Sequence, residues 1–380
     1  MTPNELLADI EKMDFDYFMQ EALQRVPTSI DTREGSIIYD ALAPASYNFA
    51  EIALQLHTIL LETYTQTATG EFLDYRAAEK GIKRNPATFT EVKGKFTTPD
   101  GSNFDVELGT RFASVGVEPI YYKVDKRISE GIFTLIAEQA GNNANRYVGQ
   151  ILPVDNMNGL GYAEITSVEI PARDEETDDE LRNRLLSVND FIQYGGNVAD
   201  YIDIMKNLDD VGAGQVYPTW NGGGTVRLVI LNNEFLIPTQ ALIDEVQDAI
   251  DPRDNRGNGY GIAPIGHLVT VAAPTPKTVN FNIGLDTDSN LTYVDVKPGV
   301  EQAVKSYFNI LRREQWAELK GARHYSLTIY RSQLIAEILK VDGVVNVSTL
   351  NMNGSANDVN LVFDNKVQEL PVVGGVDVHG

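Results

Sequence analysis

Asp31-Thr-Arg-Glu-Gly-Ser-Ile-Ile-Tyr-Asp-Ala-Leu-Ala-Pro-Ala45 opens a stretch, residues 31–85, from which the rest of the chain is read. Along it Ile38, Leu42, Ala45, Phe49, Ile52, Leu56 and Ile59 recur at spacings of 4, 3, 4, 3, 4 and 3. A heptad-like seam of this kind belongs to a helix that packs along another helix. Tyr47, Ala50, Leu54, His57, Leu61 and Tyr64 form a second seam on another face. A surface helix needs one apolar stripe, so a helix with two is expected to be buried or to have two neighbours. Pro44 falls inside the periodic run and is expected to kink or restart it. After a break at Gly70, Glu71-Phe-Leu-Asp-Tyr-Arg-Ala-Ala-Glu-Lys-Gly81 reads as a short helix with a glycine stop.

In order and spacing these pieces resemble the baseplate J-like family, the wedge proteins of phage tails and related contractile injection machines. The matching residues are Arg33-Glu-Gly-Ser36 ahead of the long helix, then Phe72-Leu-Asp74, Ala77-Ala78 and Gly81 through Arg84-Asn-Pro86. Periodicity alone leaves an ordinary buried helical hairpin open as the alternative. Further matches are Thr134–Ala137 followed by Gly141-Asn-Asn, an acidic run before Leu181-Arg-Asn-Arg184, Ser332-Gln-Leu-Ile335 and Val341-Asp-Gly-Val-Val-Asn-Val347. The resemblance therefore runs from about Asp31 to about Val347, and is thinnest between residues 89 and 162.

Composition narrows the classes. A chain of 380 residues, 43% hydrophobic, holds two to four domains and buries a sizeable core. Its longest apolar runs fall short of a membrane span, and Met1-Thr-Pro-Asn-Glu lacks the basic and apolar regions of a signal peptide. Membrane insertion is not expected, nor is export by the usual route. The chain has no cysteine, which removes disulfides, thiol catalysis and thiolate metal sites. A formal charge of −23 argues against nucleic acid and suits a partner with a basic patch.

Taken in order, the chain predicts an α+β, multidomain architecture. Thr2-Pro3-Asn4-Glu5 has the form of a capping box, and Leu6, Ile10, Met13, Tyr17 and Leu23 give a helical stripe ending near Pro27. Residues 1–88 thus read as an N-terminal helical domain. Short β segments follow at Val92–Thr97, Arg111–Ala113, Ile120–Val124, Ile132–Ala137 and Val148–Leu152, making residues 89–162 a small β domain. A strand at Ala163–Ile170 is expected to open an α+β domain over residues 163–275. Its order of strand, helices, strand, strand, helix, strand is ferredoxin-like, with one extra helix. Residues 276–380 read as a second α+β module, with an alternating strand from Thr278 to Leu285 and a helix starting at Pro298. A helix around Ser332–Val341 and strands at Val344–Leu350 and Asn360–Phe363 complete it. The tail after Asn365 reads as extended, with no assigned place. Gly212-Ala-Gly214 and Pro274-Thr-Pro276 are candidate hinges.

No motif selects chemistry. Asp174-Glu-Glu-Thr-Asp-Asp-Glu180 holds six carboxylates in seven residues, and reads better as a helix start, with Thr177 and Glu180 as its capping box, than as a metal site. Asp286-Thr-Asp-Ser-Asn290 copies the opening of a calcium loop, but Leu291 and Lys297 stand where glycine and glutamate are required. Asn221-Gly-Gly-Gly224 has no following helix or nearby lysine, so it reads as a hairpin turn rather than a phosphate cradle. The four histidines are scattered, and the 17 tyrosines do not cluster. No catalytic, cofactor or metal residues are assigned, and no small-molecule substrate is expected. The candidate functional residues are protein-interface residues: Ile38, Leu42, Phe49, Ile52, Leu56 and Ile59 on one seam, Tyr47, Leu54, Leu61 and Tyr64 on the other, and Arg312 and Arg313. The last two belong to a basic island with Arg323 and His324.

The resemblance implies a non-enzymatic structural protein of the virion tail, made and assembled in the bacterial host cytoplasm. It would associate with itself and with other wedge and hub proteins in a ring around the tail hub. Two alternatives stay open: a host-receptor or carbohydrate-binding tail protein, and a tail-associated cell-wall hydrolase.

Overall fold

Asp14 divides in two the helical stripe expected up to Pro27. The computed structural model describes residues 3–187, 195–320 and 324–380, and has α1 at Pro3–Glu11 and α2 at Phe15–Leu23. The Asp14 carboxylate accepts the Tyr17 backbone N–H at 2.8 Å, so it starts a second helix. The capping box expected from Thr2 begins outside the described residues. Helix α3 (Ile37–Thr63) is 27 residues long and runs through Pro44 without restarting. Pro44 removes a single N–H from a long ladder, a loss that the helix on either side of it absorbs. Helix α4 (Gly70–Glu79) ends at a glycine, as expected: Gly81 has φ 72°, its N–H reaches the Ala78 carbonyl and Ile82 N–H reaches that of Ala77, both at 3.0 Å. Helix α5 (Asp178–Ser187) opens with the expected capping box, Thr177 N–H to Glu180 at 3.0 Å and Glu180 N–H to Thr177 at 3.3 Å. Helices α1 to α5 make one unit, Met1–Pro86 with Glu176–Phe191; the second unit is Ala87–Glu175 with Ile192–Gly380.

The second unit begins with a closed antiparallel barrel. Its strands are β1 (Glu91–Thr97), β2 (Arg111–Ser114), β3 (Tyr121–Ser129), β4 (Ile132–Ala137), β5 (Gly149–Pro153) and β6 (Tyr162–Ile170), in the order β1-β4-β3-β2-β5-β6. Alternate residues fill the interior, where Phe96 lies 5.0 Å from Phe112 and 5.6 Å from Phe133. Strand β6 was expected to open the next domain, yet it pairs with both β1 and β5 and closes the barrel. An open sheet would leave two unpaired edges, and β6 removes both.

That assignment takes the first strand from the module that follows. Its elements are α6 (Val198–Lys206), β7 (Val211–Pro218), β8 (Thr225–Asn232), α7 (Gln240–Ile250) and β9 (Leu268–Ala272). The sheet β7-β8-β9 has three strands, β7 antiparallel and β9 parallel to β8, so the ferredoxin-like expectation of four strands is not met. The glycines expected as a hinge lie inside β7. A Cβ on Gly214 would strike Met205, and one on Gly212 the Asn232 backbone, so both serve close packing.

The C-terminal module is built on β10 (Thr275–Thr287) and α8 (Tyr293–Ile310). Its remaining elements are the two-residue strands β11 (Leu319–Lys320), β12 (His324–Tyr325) and β13 (Thr328–Ile329), helix α9 (Arg331–Ile338), then β14 (Val344–Met352), β15 (Val359–Asn360) and β16 (Glu369–His379). Helix α8 starts at Tyr293 rather than at Pro298, because Thr292 and Asp295 form a capping box, with Asp295 accepting the Thr292 N–H at 2.8 Å. The strand expected at Asn360–Phe363 shrinks to β15. The unplaced tail becomes β16, which runs parallel to β10 in the sheet β14-β10-β16.

Candidate protein interface

Helix α3 decides what the first unit presents to its surroundings. Ser36 caps it by accepting the Tyr39 N–H at 3.3 Å, after which an almost uncharged run carries the helix to Thr63. At about 1.5 Å per residue it is roughly 40 Å long. Neither expected seam is the line it buries. Fully buried on α3 are Ser46 and Ala53, with Ala50 half-buried between them and Ala43 half-buried one turn before Ser46. This row of small residues lets α2 approach: Ser46 Oγ lies 3.6 Å from Met19 Sδ, and the Phe18 and Phe49 rings are 5.6 Å apart.

The seams themselves are largely left in solvent. Tyr47, Phe49, Ile52, Leu54, Leu56, Ile59 and Tyr64 are each between 43 and 67% exposed, while Ile38, Leu42 and Leu61 are half-buried. The expectation that a two-seamed helix is buried, or flanked on both sides, is therefore not met within this chain. Exposed apolar side chains in number are what interaction surfaces present in general, which keeps this helix the candidate interface. Beside the seam, Tyr17, Phe18, Ala22, Leu42, Ala45 and Phe49 line a groove of about 390 Å³. Its rim carries Glu21 and Arg25, paired at 3.2 Å.

Within the first unit, the motif pieces at Asp74, at Arg84-Asn85 and from Glu176 to Arg184 meet in one clasp. Arg84 forms ion pairs with Asp74 at 2.8 Å and Asp178 at 2.7 Å, and donates to the Glu176 carbonyl at 2.8 Å. Asn85 N–H donates to the Glu176 carboxylate at 2.9 Å, and Arg184 reaches the same carboxylate at 2.6 Å. Burial works against the Arg84 charge, but Asp74 and Asp178 outweigh it and raise its pKa. The Gly70 N–H, with Arg84, holds the Asp178 carboxyl below the usual carboxylate range. Leu73, Ala77, Leu181 and Leu185 pack beneath these charges. The acidic run is thus structural wiring: Asp174 binds Asn142, Asp179 binds Arg182, and Glu180 caps its own helix. Sequence reading recognised these residues as a pattern and missed their mutual contacts.

Arg312 and Arg313 lie in the second unit, on a π-helical turn after α8, whereas the α3 seam residues belong to the first unit. Arg312 is half-buried, its Nε has no hydrogen-bond partner, and desolvation pushes its pKa down. Arg313 stacks its guanidinium 5.7 Å from the Phe235 ring centroid, His324 is exposed, and Arg323 lies outside the described residues. The calcium-like segment is the end of β10 and the turn after it: Asp286 accepts Asn346 Nδ2 at 2.8 Å, and Leu291 N–H donates to the Asp288 carbonyl at 2.9 Å. Among the described residues no group of three His, Asp or Glu side chains is arranged to hold a metal ion.

Sequence reading also missed a set of carboxylates in the second unit. Burial, then Glu245 and Asp210, push Glu91 up to about 7; burial, then Glu245, push Asp210 up to about 6. The elements that bring them together are far apart in the chain, so no local pattern marks them.

A helical unit with an exposed apolar helix, a closed barrel and small α+β modules make this a multidomain α+β protein. Residues 193–273 match the Baseplate J-like central domain, and residues 279–379 match the Baseplate J-like protein C-terminal domain. The Phage-like element PBSX protein XkdT of Bacillus subtilis is 34% identical over 370 residues, 97% of this chain and 98% of that protein. An uncharacterized B. subtilis protein, YqbT, is 33% identical over the same shares. Baseplate protein gp47 of Escherichia phage Mu is 27% identical over 245 residues, 60% of this chain and 64% of that protein. The chain belongs to the baseplate J-like family. It is a baseplate component of a phage or phage-derived particle.

Proposed function

We propose that this chain is a wedge protein of a contractile-type tail, assembling with itself and with other wedge and hub proteins into a ring around the tail hub. The exposed α3 seam carries the proposal. Its 4-3 spacing fits a facing helix, and a surface helix with no use for Ile52, Leu56 and Ile59 would gain solubility from charge at those positions. In this reading α3 packs against a helix of a neighbouring chain, and the Arg84 clasp keeps its support rigid. Arg312 and Arg313 meet acidic groups of a second neighbour. The ring holds tube and sheath until the host is engaged, then passes on a change in packing, with no bond made or broken by this chain. Its place is the tail of the particle, after synthesis in the host cytoplasm.

Electron cryo-microscopy of intact particles tests this directly. The expected result is a ring at the distal end of the tail with residues 37–63 covered by another chain. Density at fibre tips, or α3 bare in the assembled particle, would refute it.

A further inference from the structure

The first seam of α3 differs between its two halves. In the first half, Leu42, Ala45 and Phe49 line one side of the groove that α2 completes with Tyr17 and Phe18. Ala45 is exposed between its larger neighbours, so the groove has room there for a longer side chain. In the second half Ile52, Leu56 and Ile59 stand exposed on the same line. One half is a socket and the other a row of knobs, the two parts that interlock when helices pack.

From Leu42 to Ile59 the seam has the same spacing in both directions about the junction of Ala50 and Glu51, close to the middle of the helix. A second α3 turned end for end therefore sets Ile59 against Leu42, Leu56 against Ala45 and Ile52 against Phe49. Leucine then meets alanine at the groove, twice, once in each copy. A parallel copy would set Ala45 against Ala45 and Leu56 against Leu56, leaving both grooves empty. Charge does not oppose the pairing. The three charged residues of α3, Asp40, Glu51 and Glu62, stand off this line, and Glu62 is held by the Thr69 N–H at 2.7 Å. Asn48 and Gln55 border the line on its exposed side. Uncharged flanks give an acidic or basic partner nothing to select, and what they fit is another uncharged seam of the same spacing.

We propose that α3 pairs antiparallel with the α3 of a second copy of this chain, across a two-fold axis at Ala50–Glu51, with Leu56 of each copy seated in the α2–α3 groove of the other. This rests on the reading of α3 as an assembly surface and names the chain that covers it. A two-fold contact uses the same patch on both copies and closes on itself, so its product is a dimer and not a filament. Phe49, Ile52, Leu56 and Ile59 offer roughly 450 Å² per copy, and the groove lining brings the contact towards the about 800 Å² per partner of a standard interface.

The chain has no cysteine, so introduced thiols report only on the positions chosen. Full-length Ala45→Cys and Leu56→Cys are oxidised separately and as a mixture. The mixture is expected to give disulfide-linked dimer, and either variant alone little. Sedimentation equilibrium of the unaltered chain is expected to show a dimer with a dissociation constant of about 1–100 μM. Ala45→Leu crowds the groove and Leu56→Ala leaves it empty, so each should weaken the dimer about tenfold or more. The double variant exchanges the two sizes across the axis and should return to within about threefold of the unaltered chain. Dimers that ignore both single substitutions, a double variant no better than the singles, or thiols that link best within one variant would each overturn the pairing. So would a chain that stays monomeric up to about 1 mM. A monomer whose α3 is covered by a different protein in the particle overturns the self-pairing and leaves the wedge reading standing.

Discussion

Arg84→Ala is the substitution that tests most of the first unit at once. The Arg84 side chain is 14% exposed and ties α4 to α5 through Asp74, Asp178 and the Glu176 carbonyl. Removing one partner of a fully buried ion pair costs about 3–5 kcal/mol. Here Asp74 and Asp178 are 43 and 35% exposed, so water rehydrates them and the expected loss falls to about 2–3 kcal/mol. Arg84→Lys keeps the charge but cannot reach two carboxylates and a carbonyl together, so it should recover less than half of that loss. The pH dependence has a definite sign. Asp178 is held below its ordinary value, so its contribution is present above the usual carboxylate range and is lost as pH falls through the depressed value. Wild type and Arg84→Ala should therefore converge in acid. Hydrogen exchange of the α4 and α5 amides, with thermal unfolding of the full chain, measures the effect. Unchanged protection of α5 in Arg84→Ala would show that Leu73, Leu181 and Leu185 hold the unit without the clasp.

Three further outcomes are expected. Leu73→Ala leaves a cavity at a residue with no exposure, against Leu181 and Leu185, and should cost about 2–5 kcal/mol in the same unfolding assay. Ile52→Asp with Leu56→Asp alters side chains that are 50% exposed, so the isolated protein should melt within about 0.5 kcal/mol of wild type while incorporation into particles is lost. Glu91, raised from 4.5 to about 7, binds a proton more tightly in the folded than in the unfolded chain. Its contribution is complete below pH 4.5 and is lost as pH rises to about 7, so Glu91→Gln should flatten the melting profile across that window and stabilise the chain at pH 8. After allowance for solvent screening the gain should be about 1–2 kcal/mol.

Much of this protein was legible locally. The capping box of Thr177 and Glu180, the glycine stop at Gly81, the long helix from Ile37 and the alternating strand through Val279 and Phe281 all appear where the sequence predicts them. Each depends on contacts within a few residues, which periodicity and cap chemistry encode directly. The family resemblance was legible too, because its motif pieces are short runs read in order along the chain, even though contacts among them, Asn85 with Glu176 and Arg84 with Asp178, span 91 and 94 positions.

Partner choice was not. Strand β6 carries the same alternation whether it opens one sheet or closes another, and the tail strand β16 gives no hint that its parallel neighbour is β10, some ninety residues earlier. The seams of α3 were read correctly as apolar, but the spacing did not tell which row this chain itself buries: that is the row of small residues, Ser46 and Ala53 among them. Apolar spacing tells which side chains prefer to leave water. Which of them do so depends on the backbones close enough to receive them, and small residues let a backbone come closer than large ones do.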